Sequence, residues 1–450
     1  MVEVVCMHPS PSPQFDHHSV VGLSAVEDGT SSSAASGLIG PVGLELRQVS
    51  GLNGGVAQPL AAGGVQYENG NGIGFRLEAD ADGEIVLSPV GTTVRLDDRA
   101  VDRPTQVGGA TIGIGFAEFR VSQRRPPTDH APGLPLLDRQ PPAEEVVETP
   151  PGSITDEELI AAVAIGQRRA VEARRFAWPD PEEIVYQAIA NGPRLWSRPV
   201  GSELFANVSL ASGSLPWRVS LDRPVQVSTR CRGAIARYEV LPAVPLHADL
   251  TQGPIGIVGQ RPGVLALARQ LVLSLTALTP PTDLRLRIQA ASRHSDDWSW
   301  ATPLPHVDPE STDPDRFTIT VVDQPGPQGG STVATGPGVI VLTDDADNLP
   351  DCDDVVIVAA DGTCTVLDHR RELMTMAACP RGLDLIVAAE AALAVQGVAA
   401  TTPASVERRT SRFTGVMRTL AATKRPTRTD FRRPPIGLTP LTEGYEAAFF

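Results

Sequence analysis

The sequence predicts a multidomain protein in which an all-β domain precedes an α/β domain, and three stretches of the chain support this prediction. Residues 37–123 alternate short apolar runs with Gly, Asn and Asp turns, which is typical of a β-sandwich. Residues 153–198 carry helix start and stop signals. Residues 199–400 combine apolar strand-like runs with helical runs, which favours an α/β domain with a largely parallel sheet.

Composition limits the class of protein. The 450 residues suffice for two or three domains, and 41 Gly and 41 Pro indicate domains joined by extended linkers. A formal net charge of −15 disfavours a chain built to wrap nucleic acid. The start of the chain lacks a signal-peptide pattern, and no apolar run approaches the roughly 18 residues of a membrane helix. The five cysteines have no metal-ligand spacing, so we expect reduced thiols, no metal and a cytoplasmic protein.

These patterns divide the chain into six segments. We predict a disordered tail at 1–36, the β-sandwich at 37–123, a proline-rich linker at 124–152, a helical stalk at 153–198, the α/β module at 199–400, and a basic linker with a C-terminal tail at 401–450.

Helix signals are strongest in the predicted stalk. Its first helix begins with Thr155 or Asp156 as the N-cap and ends with two arginines, whose charges suit a helix C-terminus. Its second helix has Asp180 as the N-cap and Pro181 at the first helical position. The polar exterior of this pair suggests a stalk or a docking arm. A later helix, "LDLIVAAEAALAVQG", is expected to end at Gly397.

The stretch "GPIGIVGQRPGVLALARQL" at 253–271 raises the question of nucleotide binding, because a strand, a glycine turn and a helix follow one another. A phosphate-binding loop needs G-x-x-x-x-G-K-[ST]: backbone amides hold phosphate, the lysine neutralises charge and the hydroxyl binds magnesium. With Gly259 as the first glycine, the lysine and hydroxyl positions fall on Leu265 and Ala266. The single lysine of the chain is Lys424, which follows a threonine and not a glycine turn.

We therefore interpret Gly256, Gly259 and Gly263 as a degenerate phosphate loop, a tight turn that packs a helix against a sheet. Asp323, at the end of the apolar run "TITVVD", resembles the acid of a Walker B strand. We expect no hydrolysis at this module and no cofactor, while nucleotide binding without hydrolysis stays an alternative.

Several short motifs occur in the chain in an order that is shared with a known group of proteins. "RLWSRP" contains Trp196 and Arg198, and "WSWATPLPH" contains Trp298, Trp300 and His306. Together with the glycine turn, they resemble the region ahead of the motor domains in FtsK/SpoIIIE-type proteins, most closely the type VII secretion ATPases of the EccC/EssC kind. This resemblance covers roughly residues 155–440. It implies a Rossmann-like or P-loop-like α/β module without a functional Walker A motif, with the motif residues in structural roles.

The β-sandwich resembles a forkhead-associated (FHA) domain, which often precedes such ATPases in actinobacteria. "DGEIVLSPVGTTVRLDDRAVDRPTQVGGATIGIGFAEFRV" is similar to the second half of that fold. FHA domains bind phosphothreonine through a Gly-Arg turn, a Ser-x-x-His turn and an Asn-Gly turn, and the first two are not visible at the expected places. Arg76 and Arg95 are candidate phosphopeptide contacts, because arginine forms charge-assisted hydrogen bonds with phosphate.

Two departures from the family shape the functional hypotheses. A proline-rich linker stands where a pair of membrane helices is usual, and the chain ends where the first motor domain would begin. The sequence therefore predicts a non-catalytic binding or scaffold protein. It would dock a protein partner, such as an FtsK/SpoIIIE-type ATPase or secretion component, and be recruited from the cytoplasm to a membrane complex.

Other functional classes stay open. One alternative is a fragment of an ATP-dependent DNA translocase or type VII secretion motor, with ATP and DNA binding supplied by missing C-terminal domains. Weak nucleic-acid contact through the arginine-rich segment 408–433 is a further candidate interaction. A third hypothesis is an enzyme built on His294, Asp296, Asp297 and His306, which no nucleophile or metal spacing supports.

Overall fold

A computed structural model describes residues 23–25, 44–60, 64–69, 73–80, 84–91, 93–97, 99–108, 110–115, 117–123, 146–147, 149, 155–221, 227–307, 316–324 and 336–401. Most of the predicted tail and linker lies outside these residues, as do the arginine-rich segment and Lys424. The chain divides into two compact units. The first comprises Met1–Arg47, Ala57–Ile114 and Phe119–Arg125, and the second comprises Gln48–Val56, Gly115–Glu118 and Pro126–Phe450.

The first unit consists of short strands, two of which, β2 and β11, include residues assigned to the second unit. In chain order the strands are β1 (Leu23–Ala25), β2 (Leu44–Ser50), β3 (Ala57–Pro59), β4 (Val65–Asn69), β5 (Ile73–Ala79), β6 (Ile85–Val90), β7 (Val94–Leu96), β8 (Arg99–Val101), β9 (Thr105–Gln106), β10 (Thr111–Ile114) and β11 (Ala117–Gln123). One sheet has the order β1-β4-β5-β6-β9, and the other has the order β3-β2-β11-β10-β7-β8. Strand β1 lies inside the range predicted as a disordered tail and pairs antiparallel with β4.

An aromatic cluster forms the core of the first unit. Tyr67 and Phe75 belong to one sheet and Phe119 to the other, with ring centroids 4.6 to 5.5 Å apart. Phe75 and Leu77 are fully buried, whereas Arg76 between them is only partly buried, so β5 turns alternate residues inward. The two sheets therefore pack face to face, as the alternating pattern predicts. The FHA-like identity of this unit stays a prediction.

The second unit contains five α-helices and strands β12 to β22 among its described residues. The helices are α1 (Asp156–Ala177), α2 (Pro181–Ile189), α3 (Thr229–Ile235), α4 (Arg261–Leu278) and α5 (Leu385–Thr401). The strands are β12 (Val146–Val147), β13 (Asn207–Pro216), β14 (Ser220–Leu221), β15 (Val240–Asp249), β16 (Ile255–Gly259), β17 (Leu284–Ala290), β18 (Phe317–Asp323), β19 (Val339–Thr343), β20 (Asp354–Val358), β21 (Cys364–Asp368) and β22 (Leu373–Pro380). Short 3-10 helices occupy Ala236–Tyr238, Ser292–Ala301 and Ala346–Asn348.

A nine-stranded sheet in the order β15-β13-β22-β21-β20-β16-β19-β18-β17 organises the second unit. The five strands from β20 to β17 are mutually parallel, and the remaining pairings are antiparallel. The predicted α/β class is therefore correct, although the sheet is mixed. Because parallel strands share one carboxyl edge, Gly259 at the end of β16 and Asp323 at the end of β18 lie along the same edge.

Helix α4 lies at the centre of the core. Its buried residues include Leu267, Leu271 and Leu275, and these join a single cluster with Ile184 of α2 and Ala391 of α5. Burial of one leucine side chain is worth ~1.5–3 kcal/mol relative to exposure, so α4 contributes strongly to stability. Among the described helices, none combines the length and apolarity needed to cross a membrane.

The predicted stalk helices form, but they do not form a separate stalk. Thr155 is the N-cap of α1 within a capping box with Glu158, as the sequence pattern indicates. However, α1 buries the apolar stripe that includes Leu159 and Val163 against β15, and α2 enters the main core through Ile184. The apolar stripes require a packing partner, so both helices belong to the second unit.

Helix α5 differs from its predicted end. It continues through Gly397 to Thr401, so the prediction that Gly397 ends the helix is wrong. Glycine ends a helix when the chain adopts positive φ after the last turn, and Gly397 does not do so. At the other end, Oδ1 of Asp384 accepts a hydrogen bond from the backbone N–H of Ile386 at 2.8 Å and caps the helix.

Candidate functional site

The glycine turn after β16 is shorter than a phosphate loop. Strand β16 ends at Gly259 and α4 begins at Arg261, so Gln260 alone connects them. Gly259 has φ +145°, and a Cβ atom there would lie 2.4 Å from the carbonyl oxygen of Val358. Only glycine fits this position. A phosphate loop places several residues between strand and helix so that their amides surround the phosphate, and this turn has no such residues.

The other two glycines of the predicted loop also allow close packing. A Cβ atom at Gly256 would lie 2.7 Å from the Leu349 side chain, and one at Gly263 would lie 2.8 Å from Cγ1 of Val358. These approaches bring β16 against the segment around Leu349, and the first turn of α4 against β20. The three glycines thus serve the packing of the second unit.

A salt-bridge cluster stands at the N-terminal end of α4, beside the turn. The guanidinium of Arg261 donates to both carboxylate oxygens of Asp323, from Nη1 to Oδ1 at 3.1 Å and from Nη2 to Oδ2 at 3.1 Å. It also donates to Oδ2 of Asp297, from Nε at 3.0 Å and from Nη2. This two-carboxylate arrangement uses the planar fork that distinguishes arginine from lysine.

Of the two acids in this cluster, Asp323 is the buried one. Its side chain is 1% exposed, and Nε1 of Trp298 donates to its Oδ2 at 2.8 Å. Both carboxylate oxygens therefore accept hydrogen bonds from the chain itself. Burial acts to lower the pKa of Arg261, but hydrogen bonds and charge from Asp323 and Asp297 raise it, so the guanidinium stays protonated.

The opposite end of α4 is held by the two predicted motifs. The backbone N–H of Trp196 donates to the carbonyl of Ala277 at 2.8 Å, and that of Arg198 donates to Leu278 at 2.7 Å. Ring nitrogen Nε2 of His306 lies 2.8 Å from the carbonyl oxygen of Thr279. The last carbonyls of a helix have no partner within the helix, so these contacts satisfy them.

His306 is a neutral structural histidine. It is fully buried, and burial lowers its pKa to about 4, although the hydrogen bond to Thr279 acts in the opposite direction. Since Thr279 offers only a carbonyl oxygen, Nε2 carries the proton and donates. The side chain of Arg198 donates to the carbonyl of Asn207 at 3.0 Å and to that of Ala177. Trp300 is 5% exposed and packs beside Trp298, with ring centroids 6.5 Å apart.

The structure separates the hypothetical enzyme residues. Nδ1 of His294 lies 3.8 Å from Oδ2 of Asp297 at the N-terminal end of α4, whereas His306 lies at the C-terminal end. The 18 residues of α4 correspond to about 27 Å of helix, so His306 cannot act with His294 and Asp297. In the described part of the chain, no group of three or more His, Cys, Asp and Glu side chains could hold a metal ion.

Sequence reasoning missed Arg261. The signal was present in "GQRPG", where an arginine occupies the first helical position directly after the glycine turn. Sequence reasoning singled out Asp323 and Trp298 separately, but their contact with each other and with Arg261 depends on the strand order of the sheet.

The two candidate phosphopeptide arginines lie apart. Arg76 is on β5 of one sheet, between the inward-facing Phe75 and Leu77, and forms a salt bridge with Glu78 at 2.5 Å. Arg95 is on β7 of the other sheet, next to the fully buried Val94. Alternation along a strand places both arginines on the outer faces of opposing sheets, so one phosphate cannot contact both.

Comparison with known proteins finds partial similarity to type VII secretion proteins. The chain is 27% identical over 151 residues to the ESX secretion system protein EccC of Thermomonospora curvata, which covers 31% of this chain and 12% of that protein. It is 26% identical over 204 residues to the ESX-3 secretion system protein EccC3 of Mycobacterium tuberculosis, which covers 39% of this chain and 15% of that protein. It is 24% identical over 155 residues to the ESX secretion system protein YukB of Bacillus subtilis, which covers 32% of this chain and 10% of that protein.

These matches support the type VII secretion part of the predicted resemblance. The matched stretches span only a small part of these relatives, between 10% and 15% of their length. No family model matches the sequence. The chain is therefore similar to part of the EccC and YukB proteins.

Proposed function

We propose that the chain is a non-catalytic binding or scaffold protein whose second unit keeps a nucleotide-fold architecture without nucleotide chemistry. The observation that carries this proposal is the ion pair between Arg261 and the Walker-B-like Asp323. In a phosphoryl-transfer site, the corresponding acid helps to hold Mg²⁺ and a lysine neutralises the phosphates. Here an internal arginine neutralises the acid.

Three features support the absence of hydrolysis together. The turn at Gly259 has no residues to surround phosphate, and the positions of the lysine and hydroxyl are Leu265 and Ala266. The acid Asp323 is 1% exposed and fully hydrogen-bonded. A bound Mg²⁺ would have to displace Arg261 from Asp323 and break its two hydrogen bonds to that buried carboxylate.

The comparisons support a proposal for the class of partner. The relatives are named as components of ESX secretion systems, and we propose that this chain docks to a protein component of such a system. The two-sheet first unit is the proposed FHA-like docking module. Since Arg76 and Arg95 lie on opposing sheets, we propose protein docking and not phosphothreonine recognition as its main activity.

A phosphate-release assay with Mg-ATP tests the non-catalytic part. The wild-type chain and the Asp323→Asn variant are expected to release phosphate at the same background rate. Release by the wild type that Asp323→Asn abolishes would overturn the proposal, because a contaminating ATPase would not depend on this residue.

Binding to a purified EccC-type protein, measured by biolayer interferometry, tests the docking part. We expect saturable binding of the full chain at physiological salt. A lack of binding to any EccC-type protein would contradict the secretion partner while leaving the non-catalytic conclusion in place.

Part of a secretion motor is a second candidate function. The small share of each relative that the match spans favours it, because the matched stretch is one portion of a longer protein. It predicts that ATP turnover appears only in a mixture of the chain with the remaining domains of an EccC-type protein, and that Asp323→Asn leaves that turnover unchanged.

A further inference from the structure

A second polar cluster lies at the C-terminal end of α1. His247 on β15 stacks on Trp178, with ring centroids 3.9 Å apart and an interplanar angle of 20°. Arg174, one helical turn before Trp178, places its guanidinium carbon 5.9 Å from the centre of the tryptophan ring. Arg371, in the turn between β21 and β22, brings Nη2 to 3.3 Å from Nε2 of His247. Two arginines therefore approach the same aromatic pair.

The cluster holds three hydrogen-bond donors that the protein leaves unused. An arginine N–H faces Nε2 of His247, so Nε2 accepts and the proton of the neutral ring sits on Nδ1. That Nδ1, Nε1 of Trp178 and Nη1 of Arg174 are all buried and have no hydrogen-bond partner in the described residues. Trp178 is 2% exposed. A buried donor without a partner is unfavourable, because it has lost its hydrogen bonds to water, so three such donors around one ring pair require an explanation.

The charges of the cluster are also unbalanced. Asp368 forms a salt bridge with Arg371 at 3.0 Å, whereas no described carboxylate pairs with Arg174. Burial lowers the pKa of Arg174, and the positive charge of Arg371 lowers it further. Burial, Arg371 and Arg174 lower the pKa of His247 to about 3, so the ring is neutral. The cluster thus contains two guanidinium groups and one carboxylate, which pairs with Arg371 and leaves the charge of Arg174 uncompensated.

We propose that Arg174, Trp178, His247 and Arg371 form a binding site for a phosphate-type oxyanion. An oxyanion supplies what the cluster lacks: a negative charge between two arginines and several acceptor oxygens for the unused N–H groups. The side chain of Arg371 is 53% exposed, so it can turn outward and admit the ion. This site is independent of Arg261 and Asp323, and the inference does not rest on the proposed function.

The site can be tested by NMR titration of the full chain with inorganic phosphate. The indole N–H signal of Trp178, assigned by its loss in Trp178→Phe, is expected to shift and saturate with phosphate. Sodium chloride at the same ionic strength is the control and should leave it unchanged. Arg174→Gln should weaken binding ~10-fold to 100-fold, since a hydrogen bond to a charged group contributes ~1.5–3 kcal/mol.

A matched variant distinguishes this site from general charge attraction. Arg168→Gln removes the same charge from an exposed position on the same helix, and it should bind phosphate as the wild type does. Equal weakening in both variants would overturn the proposal, as would a wild-type Trp178 signal that phosphate never moves.

Thermal unfolding tests whether Arg174→Gln weakens binding only because the variant is misfolded. Without phosphate, Arg174→Gln should melt no lower than the wild type because it removes a like charge beside Arg371, and with phosphate this order should reverse.

The same titration distinguishes free phosphate from a phosphorylated ligand. Glycerol phosphate, a phosphate ester, is compared with inorganic phosphate. Tighter binding of the ester would assign the site to a phosphorylated ligand, and equal binding would assign it to the free ion. Both results support an oxyanion site.

Discussion

Both ends of α4 are bound by other parts of the second unit, but through different interactions. At the N-terminal end, a charged arginine spans two carboxylates, Asp323 at 1% exposure and Asp297 at 39%. At the C-terminal end, backbone N–H groups and the neutral ring of His306 satisfy the last carbonyls. One end therefore depends on ion pairing and the other on hydrogen bonds within the core.

The N-terminal end is where this chain differs from a phosphate-binding module. In such a module, the N-terminal end of the helix following the glycine turn faces the ligand. In this chain the residue at that position, Arg261, donates to both carboxylate oxygens of Asp323, and in the proposed function it takes the electrostatic role of a ligand and its cation. At the C-terminal end, the motif residues hydrogen-bond to the last carbonyls and hold the helix in place.

Replacement of the turn glycine should give the largest effect. Gly259→Ala introduces a side chain at φ +145° and 2.4 Å from the Val358 carbonyl oxygen, so we expect it to lower the free energy of unfolding by ~4–5 kcal/mol. Urea denaturation measures this loss. Gly201→Ala is the control, because Gly201 also has positive φ, +95°, but a Cβ atom there meets nothing within 4 Å. An equal loss in both variants would contradict the close approach at Gly259.

Removal of the enclosed acid should have the next largest effect. Asp323→Ala leaves Arg261 without its buried partner, and we expect a loss of ~3–4 kcal/mol in unfolding free energy. Asp297→Ala is the matched variant: its side chain is 39% exposed, so water screens the pair and the loss should stay below ~1 kcal/mol. A double-mutant cycle between Arg261 and each acid measures the two couplings separately. Equal coupling energies would contradict the central role of Asp323.

Low pH should reduce the stability that His306 contributes at the C-terminal end of α4. The pKa of His306 falls from an ordinary 6.5 to about 4 in the folded chain, so the unfolded state binds a proton more readily. Its contribution to stability is therefore present above pH 6.5 and is lost as pH falls toward 4, up to about 3 kcal/mol. Urea denaturation from pH 7 to pH 4 measures it. His306→Gln should remove this part of the pH dependence and leave the part that comes from His247, whose pKa is also lowered by burial. The exposed His369→Gln is the control.

The smallest expected effect concerns α5. Gly397 lies within that helix, and a Cβ atom there meets nothing within 4 Å. Gly397→Ala should therefore stabilise the chain by ~0.5–1 kcal/mol, because alanine loses less conformational freedom in a helix. Thermal unfolding measures the gain. A loss of stability would restore the interpretation of Gly397 as a helix terminator.

Local signals predicted the local structure well. Thr155 and Asp180 cap α1 and α2 because a cap needs only the next three residues, and the apolar runs predicted the strands of the α/β unit. The stalk failed as a prediction, because whether a helix stands alone depends on which surface covers its apolar stripe. The prediction of the candidate site missed Arg261, because its contact with Asp323 also depends on tertiary structure. Arg261 and Asp323 are separated by 62 positions, and only the sheet order brings them together.

Titration calorimetry with Mg-ATP, on the wild type and on Arg261→Ala, tests the central claim most directly. If Arg261 and the one-residue turn have replaced nucleotide binding, the wild type gives no heat of binding, and Arg261→Ala gives none either because the turn still lacks a phosphate cradle. Saturable heat in the wild type that disappears in Asp323→Asn would show that this edge of the sheet binds nucleotide and would contradict the account.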